Sequence, residues 1–216
     1  MKQILVYGDS LSWGIIPNTR QRHPFDVRWP GVLEDRLHAG GASVRVIENC
    51  LNGRRTVWED PFKPGRDGRQ GLAASVEAAS PLALVILILG TNDFQSMHPH
   101  NAWHSSQGMA VLVDIVRTAP IEPGMPRPPI LIVAPPQAQT PKGAIANKFL
   151  GVDTKSVGLA DALQEVATTL DCAFFDANQV ITTSPIDGVH LNAEAHITLG
   201  ETLTGVVQPL LEDGSV

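Results

Sequence analysis

Three residues that together can transfer an acyl group lie near the two ends of the chain. Ser10 follows an apolar run and belongs to the sequence Gly8-Asp9-Ser10-Leu11, while Asp187 and His190 are separated by only two residues. A serine hydroxyl is a weak nucleophile at neutral pH unless a base accepts its proton and a third group orients that base. Histidine and aspartate fill these two roles, so the sequence predicts a hydrolase that acts through Ser10.

Polar segments also follow two other strand-like runs. Asn52-Gly53 comes after the second run, and Gly90-Thr91-Asn92-Asp93 comes after the third. The carboxyl ends of parallel strands meet at one edge of a sheet, and ligands bind where the strand order reverses. We therefore expect Ser10 and Asn92 to lie close together at such a point, and Asp93 to cap a turn.

The elements that must position these residues alternate between strands and helices. Continuous aliphatic runs predict strands buried on both faces, at Gln3–Tyr7, Val44–Glu48, Leu82–Leu89, Ile130–Ala134 and Ala173–Asp176. Apolar residues three and four apart predict helices at Pro30–His38, Gln70–Ala79, Ser105–Thr118, Ser156–Leu170 and Ala193–Val207. This alternation predicts a flavodoxin-like, three-layer α/β fold with a five-stranded parallel sheet in the order 2-1-3-4-5 and helices on both faces.

Size and charge limit the classes of function. The 216 residues are 43% hydrophobic, which suits one domain over residues 1–216 with a sizeable core. The formal charge of -6 argues against a nucleic-acid partner, which clustered Lys and Arg would bind. We expect free thiols at Cys50 and Cys172, because neither lies in a metal or redox motif. No secretory leader and no apolar stretch of ~20 residues is present, so we expect a cytoplasmic protein without a membrane partner.

Four of these segments together resemble the SGNH, or GDSL-type, hydrolases. The matching blocks are Gly8-Asp9-Ser10-Leu11, Gly53, Gly90-Thr91-Asn92-Asp93 and Asp187-x-x-His190. The resemblance implies a cofactor-independent serine esterase in which Ser10 is the nucleophile, His190 the general base and acid, and Asp187 the residue that orients the imidazole. It also implies an oxyanion hole formed by the backbone N–H groups of Ser10 and Gly53 and the side-chain amide of Asn92.

Further segments resemble the mycobacterial-type arylesterase and acyltransferase branch of that family. They are Asp26-Val27-Arg28-Trp29, the run from Val46 to Thr56, Glu59-Asp60-Pro61 and Phe174-Phe175-Asp176. This resemblance implies small carboxylic esters as substrates, possible acyl transfer to alcohols or peroxide, and a homo-oligomer. It also implies that Leu11, Thr91 and Val189 line a small acyl pocket, and we add Trp13 because it lies three residues from Ser10.

Other interpretations stay open at this point. A carbohydrate acetylesterase, or a lysophospholipase and thioesterase, would use the same residues on other leaving groups. A non-catalytic α/β binding module would use Ser10 only as a turn residue. A metal site is a further possibility at His98, His100 and His104. No H-E-x-x-H pattern accompanies these histidines and Pro99 disfavours a helix there, so we expect no metal.

Overall fold

A parallel sheet of five strands forms the centre of the protein. The structure is a computed structural model, and it describes residues 1–213. The strands are β1 (Lys2–Gly8), β2 (Val44–Cys50), β3 (Leu84–Ile88), β4 (Ile130–Ala134) and β5 (Ala173–Asp176). Their order in the sheet is β2-β1-β3-β4-β5, and each neighbouring pair is parallel, which confirms the predicted topology.

Seven α-helices lie within residues 1–213. They are α1 (Ser10–Trp13), α2 (Trp29–Ala39), α3 (Leu72–Ala79), α4 (Ala102–Thr118), α5 (Val152–Lys155), α6 (Leu159–Thr169) and α7 (Ala193–Asp213). Within residues 1–213, no helix has both the length and the apolar character that a bilayer crossing requires.

Successive strand residues face opposite sides of the sheet, and this alternation creates two cores. Ile4 and Val6 pack in one core with side chains of α2 and α7, whereas Leu5 and Tyr7 pack in the other with side chains of α3, α4 and α6. Both sides of a strand are therefore apolar, which explains why the strand runs in the sequence are continuous and not alternating.

Three helix boundaries differ by three residues or more from the predicted ones. Helix α7 continues to Asp213, six residues past the predicted end at Val207, and two helix starts differ for local reasons. The predicted helix over 156–170 begins too early, because Gly158 has a φ of 80° in the left-handed region and α6 starts only at Leu159. Helix α4 begins at Ala102, three residues before its predicted start. Asn101 and His104 form a reciprocal capping box there, with the Asn101 side chain accepting from the backbone N–H of His104.

The register of β1 places three loops side by side. Gly8, the last residue of β1, pairs with Cys50 of β2 on one side and with Ile88 of β3 on the other. The segments that follow these three residues contain Ser10, Gly53 and Asn92. The sheet thus delivers three separate parts of the sequence to one edge.

Helix packing against the sheet gives a stability prediction. Leu33 of α2 is fully buried in the core shared with α7, so Leu33→Ala should lower the free energy of unfolding by about 2–5 kcal/mol. Urea denaturation measures this difference. The matched control is Leu150→Ala, because Leu150 is 68% exposed and should change stability by less than about 0.5 kcal/mol. Equal losses at the two positions would contradict this assignment of the core.

Candidate active site

Ser10 is the first residue of the short helix α1, directly after β1. The carboxylate of Asp9 accepts from the backbone N–H of Leu11 at 2.8 Å and caps this helix. Gly14 ends the helix with a φ of 87°, which favours glycine because a Cβ atom is strained in that region. The turn between β1 and α1 therefore has a defined conformation, and it places the Ser10 side chain at the edge of the sheet.

Asp187 and His190 lie on one loop between β5 and α7. Backbone N–H groups outside the segment from Asp187 to His190 donate to three of its carbonyl oxygens and fix its backbone. These bonds are Gln139 N–H to Gly188 O at 2.8 Å, Lys142 N–H to Asp187 O at 2.9 Å, and Ser184 N–H to His190 O at 2.7 Å. Gly188 has a φ of 77°, and a Cβ atom on it would lie 2.4 Å from the carbonyl oxygen of Thr140. Glycine is thus required at the centre of the Asp187-x-x-His190 segment for two reasons.

The structure brings Ser10, His190 and Asp187 into one hydrogen-bonded line. Nδ1 of His190 lies 2.7 Å from Oδ2 of Asp187, and Nε2 of His190 lies 3.2 Å from Oγ of Ser10. All three side chains are buried. When Nδ1 donates its proton to the carboxylate, Nε2 carries the lone pair that can accept the Ser10 proton.

The Asp187 carboxylate is held in its charged form. Burial alone would raise its pKa, but the hydrogen bond and charge of His190 and the backbone N–H groups of Val189 and His190 lower that pKa to about 2. Those two N–H groups donate to Oδ1 at 3.0 and 2.9 Å, and the N–H of Asn18 donates to Oδ2 at 3.1 Å. An ionised Asp187 can therefore orient the imidazole throughout the neutral pH range.

The two segments expected to supply oxyanion donors lie beside Ser10. Nδ2 of Asn92 donates at 2.7 Å to Oδ2 of Asp9, the residue that precedes Ser10. The loop after β2 is tied to the end of β1, because the N–H of Leu51 and the guanidinium of Arg54 both donate to Gly8 O at 3.0 Å. Gly53, two residues after Leu51, has a φ of 87°, which is the reason for glycine at this position.

Two buried carboxylates contribute to the site in ways the sequence does not indicate. Asp9 joins the Ser10 turn to Asn92. Asp93, expected to cap its own turn, instead accepts from the N–H and hydroxyl of Thr56 at 3.0 and 2.8 Å and from the hydroxyl of Ser105 at 2.7 Å. Asp93 therefore links the loop that contains Gly53 to the loop that contains Asn92. Spacing along the chain carries no information about such a contact, although an acidic residue inside each motif is visible in the sequence.

Of the residues predicted to line a substrate pocket, Thr91 borders a cavity. The cavity has a volume of about 240 Å³, and its other walls come from the ends of β4 and β5 and from α5 and α6. Its apolar lining includes Phe94, Ala138, Val152 and Leu159. Leu11 and Val189 are buried in the two cores. Trp13 is half-buried, with the guanidinium of Arg22 4.7 Å from its ring centroid.

The three histidines considered for a metal form a stack of rings. The rings of His98 and His100 are nearly parallel, and their centroids are 4.9 Å apart. The ring centroid of Trp58 lies 4.0 Å from that of His100. His104 is 5.5 Å from His100. Across residues 1–213, no group of three His, Cys, Asp or Glu side chains has an arrangement that could hold a metal ion.

Comparisons with known proteins identify a family and several similar structures. The model of the GDSL-like lipase/acylhydrolase family matches residues 6–196. The inhibitor-bound aryl esterase of M. smegmatis is 34% identical with a TM-score of 0.92, over 97% of this chain and 100% of that one. A carbohydrate acetylesterase family member from Sinorhizobium meliloti is 37% identical with a TM-score of 0.92, over 98% and 100% of the two chains. A search of curated proteins finds no match.

The burial of Asp93 gives a prediction for stability against pH. Loss of hydration raises the pKa of this carboxyl from 3.8 to about 6. The folded protein then binds the Asp93 proton more tightly than the unfolded chain does between these values, so wild type gains stability as the pH falls through this window. Relative to Asp93→Asn, wild type should gain about 1.4 kcal/mol between pH 7.5 and pH 5.

Urea denaturation of both proteins at the two pH values measures this change. Histidines and other carboxyls titrate in both proteins and cancel in the difference. Asp114→Asn, on the exposed face of α4, controls for the chemical change itself. A difference between wild type and Asp93→Asn that stays constant with pH would contradict a titrating, buried Asp93.

Proposed function

The chain belongs to the GDSL-like lipase/acylhydrolase family, and on that premise we propose that Ser10 is its catalytic nucleophile, with His190 as general base and acid and Asp187 as the residue that orients His190. The observation that carries this proposal is the buried line of hydrogen bonds from Ser10 Oγ through the imidazole to Asp187. The chain is a serine esterase of the SGNH type and hence a carboxylic ester hydrolase.

The proposed reaction proceeds in two halves. Ser10 Oγ attacks the ester carbonyl carbon while Nε2 of His190 accepts the hydroxyl proton, and the tetrahedral intermediate collapses as His190 protonates the departing alcohol. An acyl group is then bonded to Ser10 Oγ. Water attacks this acyl-enzyme with His190 again as the base, which releases the carboxylic acid and returns the proton to Ser10.

The oxyanion of each tetrahedral intermediate needs donors that are already in place. We assign this role to the N–H groups of Ser10 and Gly53 and to Nδ2 of Asn92. The Asn92 amide has two protons, and Asp9 accepts one of them, which leaves the other for the substrate oxygen. A donor of this kind typically contributes about 3–4 kcal/mol of transition-state stabilisation.

The substrate is a small-molecule ester, and we propose that its acyl group is short. Thr91 and Phe94 connect the Asn92 turn to the cavity of about 240 Å³, which is smaller than typical pockets for drug-sized ligands. The cavity is proposed to receive the acyl chain, with Trp13 bordering the reacting carbonyl. Leu11 and Val189, each 1% exposed, would instead support the neighbouring catalytic residues from the two cores.

Two leaving-group classes are supported by the comparisons. The aryl esterase match favours aryl esters, whose leaving group is a phenol. The match to the Sinorhizobium meliloti protein favours acetylated carbohydrates, whose leaving group is a sugar hydroxyl. Acyl transfer to an added alcohol is also proposed. Ser10 and His190 are each only 6% exposed, and a site with little contact with bulk water gives an alcohol a better chance to compete for the acyl-enzyme.

We further propose a cytoplasmic homo-oligomer. Large apolar side chains are exposed at Phe62 and Trp103, and contact between copies of the chain would bury such side chains. The two free thiols, Cys50 and Cys172, suit a reducing compartment.

Removal of the nucleophile gives the direct test of the assignment. Ser10→Ala should lower kcat for p-nitrophenyl acetate by about 10⁶-fold, because no other group can form the acyl-enzyme. Ser12→Ala is the matched control: Ser12 lies on the same helix, but its hydroxyl faces Nε1 of Trp29 at 3.2 Å and not His190. Wild-type turnover in Ser10→Ala, or an equal loss in Ser12→Ala, would refute the role of Ser10.

A panel of p-nitrophenyl esters tests the acyl length. The size of the cavity predicts that kcat/KM falls by at least about 10-fold between the butyrate and octanoate esters. Adding benzyl alcohol to the acetate reaction should divert part of the acyl group into benzyl acetate, which gas chromatography detects. Preference for the octanoate ester would rule out the cavity as the acyl site. Acetic acid as the sole product that contains the acyl group would rule out transfer to the alcohol.

A further inference from the structure

Asn92 lies in the middle of a line of buried polar side chains that continues away from Ser10. Oδ1 of Asn92 accepts from Nε2 of Gln95 at 2.7 Å, and Oε1 of Gln95 accepts from Nη2 of Arg55. Arg55 forms an ion pair with Asp60, with 3.2 Å between Nη1 and Oδ2. Arg55 and Gln95 are fully buried, and Asn92 and Asp60 are each 2% exposed.

The two ends of this line determine the orientation of both amides. A carboxamide can rotate by 180° and exchange its oxygen and nitrogen with little change in shape. The guanidinium of Arg55 has only donors at any accessible pH, so it requires the oxygen of Gln95 to face it. The nitrogen of Gln95 must then face Asn92, which directs the oxygen of Asn92 toward Gln95 and its nitrogen toward Asp9.

We propose that Gln95 is a positioning residue that, held by Arg55, keeps the amide nitrogen of Asn92 directed at the oxyanion. This inference rests on the oxyanion role proposed above for Asn92. The backbone of Gln95 is also fixed, because Nζ of Lys155 donates to its carbonyl oxygen at 3.0 Å. The backbone and the side chain of Gln95 are therefore both held in place. A residue that orients another side chain needs such support.

Two substitutions distinguish orientation from mere packing. Gln95→Met removes both hydrogen bonds and should lower kcat for p-nitrophenyl acetate by about 10-fold with little change in KM, since Asp9 still favours the correct orientation of Asn92. Gln95→Glu keeps the bond to Arg55 but offers Asn92 only an acceptor. The new carboxylate at position 95 and Asp9 then compete for the one nitrogen of Asn92, so the catalytic orientation is lost more often and kcat should fall further, by about 100-fold.

The order of these two losses is the informative result. If Gln95 only filled space and paired with Arg55, the glutamate variant would retain more activity than the methionine variant. A kcat for Gln95→Glu above that of Gln95→Met would therefore overturn the proposal. Gln107→Met, on the exposed face of α4, is the control for the chemical change and should keep wild-type kcat.

A double-mutant cycle identifies the residue through which Gln95 acts. Because Gln95 acts through Asn92, adding either Gln95 substitution to Asn92→Ala should lower kcat by less than about 3-fold. Losses that multiply in the double variants would overturn the proposal, and the glutamate cycle decides if Gln95→Met fails to fold. Full activity in Asn92→Ala would remove the oxyanion assignment and this proposal together, whereas an impaired Asn92→Ala with unimpaired Gln95 variants would remove this proposal alone.

Discussion

The hydrogen bond between Nδ1 of His190 and Oδ2 of Asp187 is the interaction on which the proposed chemistry depends. It selects the imidazole tautomer with a lone pair on Nε2, and only that tautomer can accept a proton from Ser10. The 2.7 Å contact needs a rigid loop, and Gly188 allows the tight turn that puts the two side chains three residues apart on the same side. The triad thus depends on a backbone feature as much as on its side chains.

Buried charge holds together the loops around this pair. None of the segments that carry Ser10, Gly53 and Asn92 could be fixed by the sheet alone, because each leaves its strand before the functional residue. Asp9 and Asp93 bridge these segments, and the Arg55–Asp60 pair adds a further fixed point. Removing such groups from water opposes folding, and burial raises the pKa of Asp9 and of Asp93 to about 6. The gain is a set of donors that need not reorganise when negative charge develops on the substrate.

The sequence predicted the fold because the fold depends on local pattern. It also predicted that Ser10, Asp187 and His190 lie together, as the structure has them, while their catalytic roles stay a prediction. Aliphatic runs buried on both faces identify parallel strands, and the residues that follow those strands are brought together by topology. The break at Gly158 was missed, because apolar spacing continues through it. The contacts of Asp93 and Gln95 are not visible in the sequence, because each is made with a partner about 40 residues away, Thr56 and Arg55. The cavity draws its walls from too many segments for any motif to indicate.

His190 and Asp187 are proposed to activate one serine out of all those in the chain. Incubation of the native protein with a fluorophosphonate, followed by intact mass and peptide mapping, tests this most directly, because an unactivated hydroxyl does not react with such a reagent. We expect a single adduct per chain, located on Ser10. No adduct, or an adduct on a different residue, would contradict it.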